Sequence, residues 1–199
     1  MKRLVATTAV SALLLTGCAT GGDDQTADPT AAASSAASAD TEALLDRHGL
    51  AGKNTTEIID HLDRLAGDDR PADLKASVRS HELVLSGAGQ ELTLDIPDDR
   101  FYLSVAPYVN RTHDCFHHSL TTCKGELAGT DVQVEIVDDT TGTLLVDRTQ
   151  TTFANGFVGF WLPRDIQGTL RVTHDGRTGT AKIATGQDAP TCLTTLKLS

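Results

Sequence analysis

The sequence predicts an α+β protein in which a small N-terminal helical segment precedes a mainly antiparallel, β-sandwich-like domain. Three observations carry this expectation. Helical periodicity with capping residues runs from Thr41 to Gly67, short alternating runs take over after about Val78, and turns bearing Gly, Pro or Asp separate those runs.

Ahead of the fold, residues 1–17 read as an export signal and are set aside before any core is considered. Lys2 and Arg3 form a basic start, and Leu4 to Leu15 is apolar but shorter than the ~20 residues that span a bilayer. Leu15-Thr16-Gly17-Cys18 has the small-residue pattern of a lipoprotein signal-peptidase site, so Cys18 is expected to become the lipidated N-terminus. The expected location is therefore outside the cytoplasm, anchored by lipid to the cell membrane and facing the periplasm or the exterior. Residues 18–40 are dominated by Ala, Ser, Thr, Asp and Gly with no aromatic side chain, too little apolar surface to offset ordering, and read as a disordered tether.

Loss of residues 1–17 removes Lys2 and Arg3 and no acidic group, so the formal charge goes from −10 to −12. A chain this acidic has no basic stripe to neutralise phosphates, which excludes nucleic acid as the partner class.

Residues 41–77 read as the helical region. Thr41 to His48 is helical in pattern and Gly49 stands where a left-handed C-terminal residue belongs. A second helix is marked by Asn54 as N-cap and Glu57 at the capping-box position, with Ile58, Ile59, Leu62 and Leu65 on one face and Gly67 as its end. Arg70-Pro71-Ala72-Asp73-Leu74 is expected to start a further turn with Pro71 in its first position. His48 and His61, among charged neighbours, are expected on the surface.

Residues 78–199 read as the β-rich domain. Strands are expected at 81–86, 91–96, 101–105, 132–137, 144–146, 157–162, 169–172 and 180–183, with 191–198 as the last. Asp138 to Gly142 and His174-Asp175-Gly176 read as hairpin connections. Phe160 and Trp161 are expected in the core, His81 and His174 on strand surfaces.

One stretch stands apart. Thr112 to Cys123 holds two of the four cysteines and three of the seven histidines, and thiolate with imidazole suits Cu(I), Zn(II) or iron–sulfur chemistry better than Mg(II) or Ca(II). Cys115 and Cys123 are eight residues apart. A straight helix would separate them by roughly 12 Å and a strand by roughly 26 Å, so the segment must fold back for their sulfurs to share an ion. One helical turn would place Cys115 and His118 on the same face and His117 elsewhere. The sole methionine is Met1, which leaves cysteine as the sulfur donor.

With Cys18 given to lipid, Cys115, Cys123 and Cys192 remain, an odd number that cannot all pair within one chain. Three readings compete. The first is a lipid-anchored binding or interaction module with one structural disulfide and a spare thiol; loop closure gives about 2.6 kcal/mol for Cys115–Cys123 and about 4.4 kcal/mol for Cys123–Cys192, so stability does not discriminate. The second is a metal site of three thiolates with His118 as the best-placed imidazole and His113 and His117 behind it or on the surface. Three thiolates match the low-coordinate geometry of Cu(I), and three Cys with one His also complete a tetrahedral Zn(II) site. The third is a Cys–His nucleophile, for which Asp114 and Ser119 add only a nominal trio.

The run from Thr112 to Leu127, together with Ala189-Pro190-Thr191-Cys192-Leu193-Thr194-Thr195-Leu196, closely resembles the CueP family of exported copper-resistance proteins. Phe101 to Tyr108 and Asn155 to Ile166 also look like its members, and the resemblance covers about residues 41–198. It implies that Cys115, Cys123 and Cys192 are the three family cysteines that bind copper, and that His118 is a histidine of the motif. His117 is a local departure. It further implies thiol-dependent reduction of Cu(II), restoration of the thiols by a thiol–disulfide reductase, and transfer of copper to exported partners such as a copper-zinc superoxide dismutase. A homodimer is left open, and the lipid anchor sets this chain apart from soluble members.

Overall fold

The computed structural model describes residues 41–199; the export signal, Cys18 and the tether lie outside the described residues. Helix α1 occupies residues 41–47 and α2 spans Thr55–Arg64. The capping box forms as the sequence expects: Asn54 Oδ1 accepts the Glu57 N–H at 3.0 Å while Glu57 Oε2 accepts the Asn54 N–H at 2.8 Å, satisfying two otherwise orphaned donors. Gly49 takes φ +65° after α1, the left-handed position that favours glycine.

Strands β1 (Leu74–Val78), β2 (Glu82–Gly87), β3 (Gln90–Asp95) and β5 (His118–Ser119) form one sheet in the order β3-β2-β1-β5. Strands β6 (Asp131–Asp138), β7 (Leu144–Thr151), β9 (Gln167–His174) and β10 (Arg177–Ala184) form a second, ordered β10-β9-β6-β7. Between them lies a three-stranded sheet, β11-β4-β8, from Cys192–Leu193, Arg100–Val105 and Val158–Pro163.

The middle sheet is covered on both faces, which is why Phe101 to Val105 is buried at every position instead of alternating. One face sends Phe101, Leu103, Val105, Phe160 and Leu162 against Val134, Ile136, Leu170 and Val172 of the second sheet, forming the sandwich core. The other face sends Tyr102 and Trp161 toward Ile58, Ile59 and Leu62 of α2 and toward Leu83 and Leu85 of β2. The helices therefore share a core with strands.

Several expectations need correction. The turn expected at Arg70–Leu74 is present at residues 72–73, but it is non-helical and short: Arg70 is extended and β1 already begins at Leu74. Gly67 does not end α2, which stops at Arg64 with Leu65 extended. The His48 side chain is 6% exposed beside Asp73, not on the surface. The expected last strand shrinks to Cys192–Leu193, and it lies parallel to β4, opposite Ser104 and Val105. Asp175 and Gly176 both take positive φ, 49° and 74°, the hairpin geometry that an Asp-Gly pair favours.

Two glycines fix the loops around the site. Gly125 and Gly156 lie so close that a Cβ on either would collide with the other's backbone, and Gly156 needs φ +82°. This contact locks the segment after Cys123 against the segment before Phe157, and the Gly125 N–H donates to Asn155 O at 2.6 Å.

Candidate metal centre

The fold brings Cys115, His118 and Cys123 of one short stretch together with Cys192 from the far end of the chain. The 112–123 segment is not helical before His118: residues 111–115 are irregular, and β5 pairs antiparallel with β1, setting His118 opposite Val78. The chain then folds back through Leu120, which is fully buried, and the Cys123 N–H closes a turn on Ser119 O at 3.1 Å. That turn returns Cys123 Sγ to 3.6 Å from Cys115 Sγ, the reversal that the eight-residue spacing demands.

Thr191 ties in the third sulfur. Its hydroxyl donates to Val78 O at 2.6 Å and accepts the His118 N–H at 3.0 Å, so one buried side chain joins β1, β5 and the C-terminal segment. Phe116 O accepts both the Thr191 and Cys192 N–H groups, at 3.0 and 3.1 Å. Cys192 Sγ then sits 3.7 Å from His118 Nδ1. Among the described residues all three cysteines are free thiols; Cys123 and Cys192 are buried and Cys115 is half-buried.

Behind the imidazole lies a residue that sequence reasoning missed. Asp63, on the last turn of α2, is 0% exposed. Its Oδ1 stands 2.8 Å from His118 Nε2 and accepts from Asn155 Nδ2 at 2.8 Å; its Oδ2 accepts from the Tyr102 hydroxyl at 2.6 Å and from Ser104 Oγ at 3.2 Å. A buried carboxylate is tolerable only with such satisfaction of its lone pairs. Gly159 is part of the same arrangement, because any Cβ there would overlap the Tyr102 hydroxyl. Burial would raise the Asp63 pKa, but the charge and hydrogen bond of His118 hold it below the ordinary value. Burial would likewise lower the His118 pKa, and the Asp63 carboxylate instead lifts it to about 9.

A carboxylate on Nε2 leaves Nδ1 as the imidazole atom facing the sulfurs. Orientation of a ligating histidine by a carboxylate on its other nitrogen is a recurrent feature of metal sites. The sulfurs divide their charge unequally. Hydrogen bonds from Cys115 and then Cys192, with His118 beside them, push the Cys123 thiol far below its ordinary value. Donation to Cys123 raises Cys115 to about 11, and its neighbouring sulfurs raise Cys192 as well. Cys123 Sγ also accepts the Ser119 N–H at 3.4 Å.

Arg70 is the second residue the sequence did not single out. It is 8% exposed, donates from Nη1 to Cys123 O at 2.6 Å, and has no partner for Nε or Nη2 among the described residues. It places a fixed positive charge beside Cys123 and Asp63.

The other expected residues separate clearly. His113 is exposed, yet its imidazole joins Cys115 and Cys123 in a group whose donor atoms lie within 4.8 Å of one another; His118, Cys123 and Cys192 form a second such group. His117 turns away and packs edge-on against Phe116, ring centroids 4.9 Å apart. Asp114 is exposed, and Ser119 Oγ accepts from Thr122 at 2.6 Å, so the nominal Ser/His/Asp trio is not assembled around His118. Three soft sulfurs and an oriented imidazole, without a carboxylate among the two donor groups, fit a soft metal ion.

Comparison with known proteins agrees with this donor set. The family described as "Periplasmic copper-binding protein CueP" matches residues 57–197. No curated protein matches the chain. The crystal structure of S.CueP is similar to it, with 44% sequence identity, 80% of this chain and 97% of that chain covered, and a TM-score of 0.75. The match takes in α2 from Glu57 onward with Asp63, all three clustered cysteines and His118, and on it the chain belongs to the CueP family of periplasmic copper-binding proteins.

Proposed function

We propose that this protein binds copper outside the cytoplasm, holding Cu(I) through the thiolates of Cys115, Cys123 and Cys192 with His118 beside them. The observation that carries the reading is the meeting of three free sulfurs with an imidazole that Asp63 holds by its far nitrogen. Three thiolates suit the low coordination number of Cu(I), and Arg70 offsets part of the negative charge that three thiolates around a monovalent ion leave. Family membership supports copper as the cargo. The signal and Cys18 support attachment to the outer face of a membrane through lipid, with residues 18–40 as the tether.

Reduction of Cu(II) is the second part of the proposal. Cys115 and Cys123, 3.6 Å apart, are the natural pair. Two thiolates give up one electron each to two Cu(II) ions, yielding two Cu(I) ions and one S–S bond. Half-buried Cys115 is the sulfur open to a thiol–disulfide reductase that would restore the site, and also the sulfur open to an exported copper acceptor, a copper-zinc superoxide dismutase being the partner that the family resemblance implies.

The test is to titrate fully reduced protein anaerobically with Cu(II) and count thiols after denaturation. The expected result is two Cu(I) ions produced for each pair of thiols lost, with the pair mapped to Cys115 and Cys123. Unchanged thiols together with unreduced Cu(II) would remove the reductive part and leave binding to be judged separately.

A further inference from the structure

We propose that His113, with Cys115 and Cys123, forms a loading station for Cu(I), from which the ion passes inward by exchanging His113 for Cys192 at the mouth of the His118 site. The inference rests on the copper-binding reading above and adds a second, solvent-facing position for the same ion.

Four observations carry it. The donor atoms fall into two compact groups, His113–Cys115–Cys123 and His118–Cys123–Cys192, that share Cys123. The first is graded outward, from exposed His113 through half-buried Cys115 to buried Cys123, whereas the second is buried throughout. An ion arriving from solvent therefore meets the first group before the second. Cys115 and Cys123 already lie 3.6 Å apart, so the ion keeps two sulfurs while one ligand is replaced. Exchange of a single ligand avoids a bare cation in a buried site.

His113 is also placed, not merely exposed. Its ring meets Phe157 edge-on with centroids 6.3 Å apart, and the same Phe157 ring packs against the His118 ring at 4.7 Å. One fully buried phenylalanine thus contacts both the outer imidazole and the inner one. The segment leading into His113 is clipped in place: Glu126 Oε2 accepts the N–H groups of Val109, Asn110 and Arg111 at 2.7, 2.9 and 3.2 Å, and the Thr112 hydroxyl donates to Thr194 O. An open cleft of about 340 Å³, lined by Arg111, Thr112, His113, Lys124, Gly125 and Glu126, gives solvent and a carrier access to the imidazole.

The experiment uses the mature chain, reduced and anaerobic, with Cu(I) supplied as its complex with a chromophoric chelator. His113→Ala changes an exposed side chain and leaves the core intact. It is expected to slow copper acquisition on the order of tenfold, within the roughly 1–3 decades that association rates cover among variants of one site, while final occupancy and affinity stay at the parent level. Cys192→Ser is expected to retain one weakly held Cu(I), and Cys192→Ser combined with His113→Ala to lose it. If His113→Ala loads at the parent rate, or loses affinity as much as rate, the loading station is wrong and the three-thiolate site stands. If Cys123→Ser, run alongside, binds Cu(I) as the parent does, the copper reading itself falls.

Discussion

Cys123→Ser is expected to lower Cu(I) affinity by more than the roughly 10–100-fold that loss of a group behind a metal ligand brings. Cys123 is the one sulfur common to both donor groups, the one whose thiol its neighbours push far below its ordinary value, and the acceptor of the Ser119 N–H. A serine hydroxyl fills nearly the same space but stays protonated and is a hard donor, mismatched to Cu(I). Competition against a Cu(I) chelator reads the effect. Loss of the Cys123 anion also leaves Arg70 facing one negative group fewer, so part of the penalty belongs to the surroundings and not to the missing Cu–S bond. A parent-like titration would show that the metal is held elsewhere.

Asp63→Ala is expected to destabilise the metal-free protein by about 3–5 kcal/mol, the range for breaking one side of a buried ion pair. The truncation orphans the His118 imidazole, the Tyr102 and Ser104 hydroxyls and the Asn155 amide at once. Urea unfolding measures it, and a loss below about 1 kcal/mol, as exposed sites give, would contradict the buried network. The pH dependence has a definite sign. Asp63 is held below its ordinary value, so its contribution is complete above about pH 4 and is lost as pH falls through the folded pKa. His118 is raised to about 9, so its contribution is complete below its ordinary 6.5 and is lost as pH rises toward 9. The gap between parent and variant should therefore be widest from about pH 4 to 6.5 and narrow as pH rises through 9.

Most strands could be read from alternation, because β3 and β6 obey it over their length and β9 over most of its own. Two could not. β1 was hidden because the Pro71 signal points to a turn, which forms at residues 72–73 and leads directly into a strand that exists by its pairing with β2. β5 is two residues long and exists only through its partner β1, so no local pattern reveals the strand that sets His118.

The same limit applies to the site. The three cysteines and His118 are conspicuous by chemistry, whereas Asp63 and Arg70 look like ordinary surface charges in a chain rich in them. Asp63 nevertheless carried a signal: it stands four residues after Ile59 on α2, within the face that Ile58, Ile59 and Leu62 bury. A carboxylate at an apolar position of a helix asks for a buried partner. Arg70 left no comparable trace, since its burial arises from the turn that follows α2. The parallel pairing that delivers Cys192 to Ser104 depends on closure of the whole fold, which local sequence does not encode.

Copper as the preferred cargo of the Cys115–Cys123–Cys192–His118 cluster is the central claim. Its most direct test is metal analysis of protein purified anaerobically from cells supplied with both copper and zinc, with X-ray absorption at both edges. About one equivalent of Cu(I) in a sulfur-dominated shell, with zinc near background, is the expected result. One equivalent of Zn(II) in a shell of three sulfurs and one nitrogen, undisplaced by added Cu(I), would contradict it.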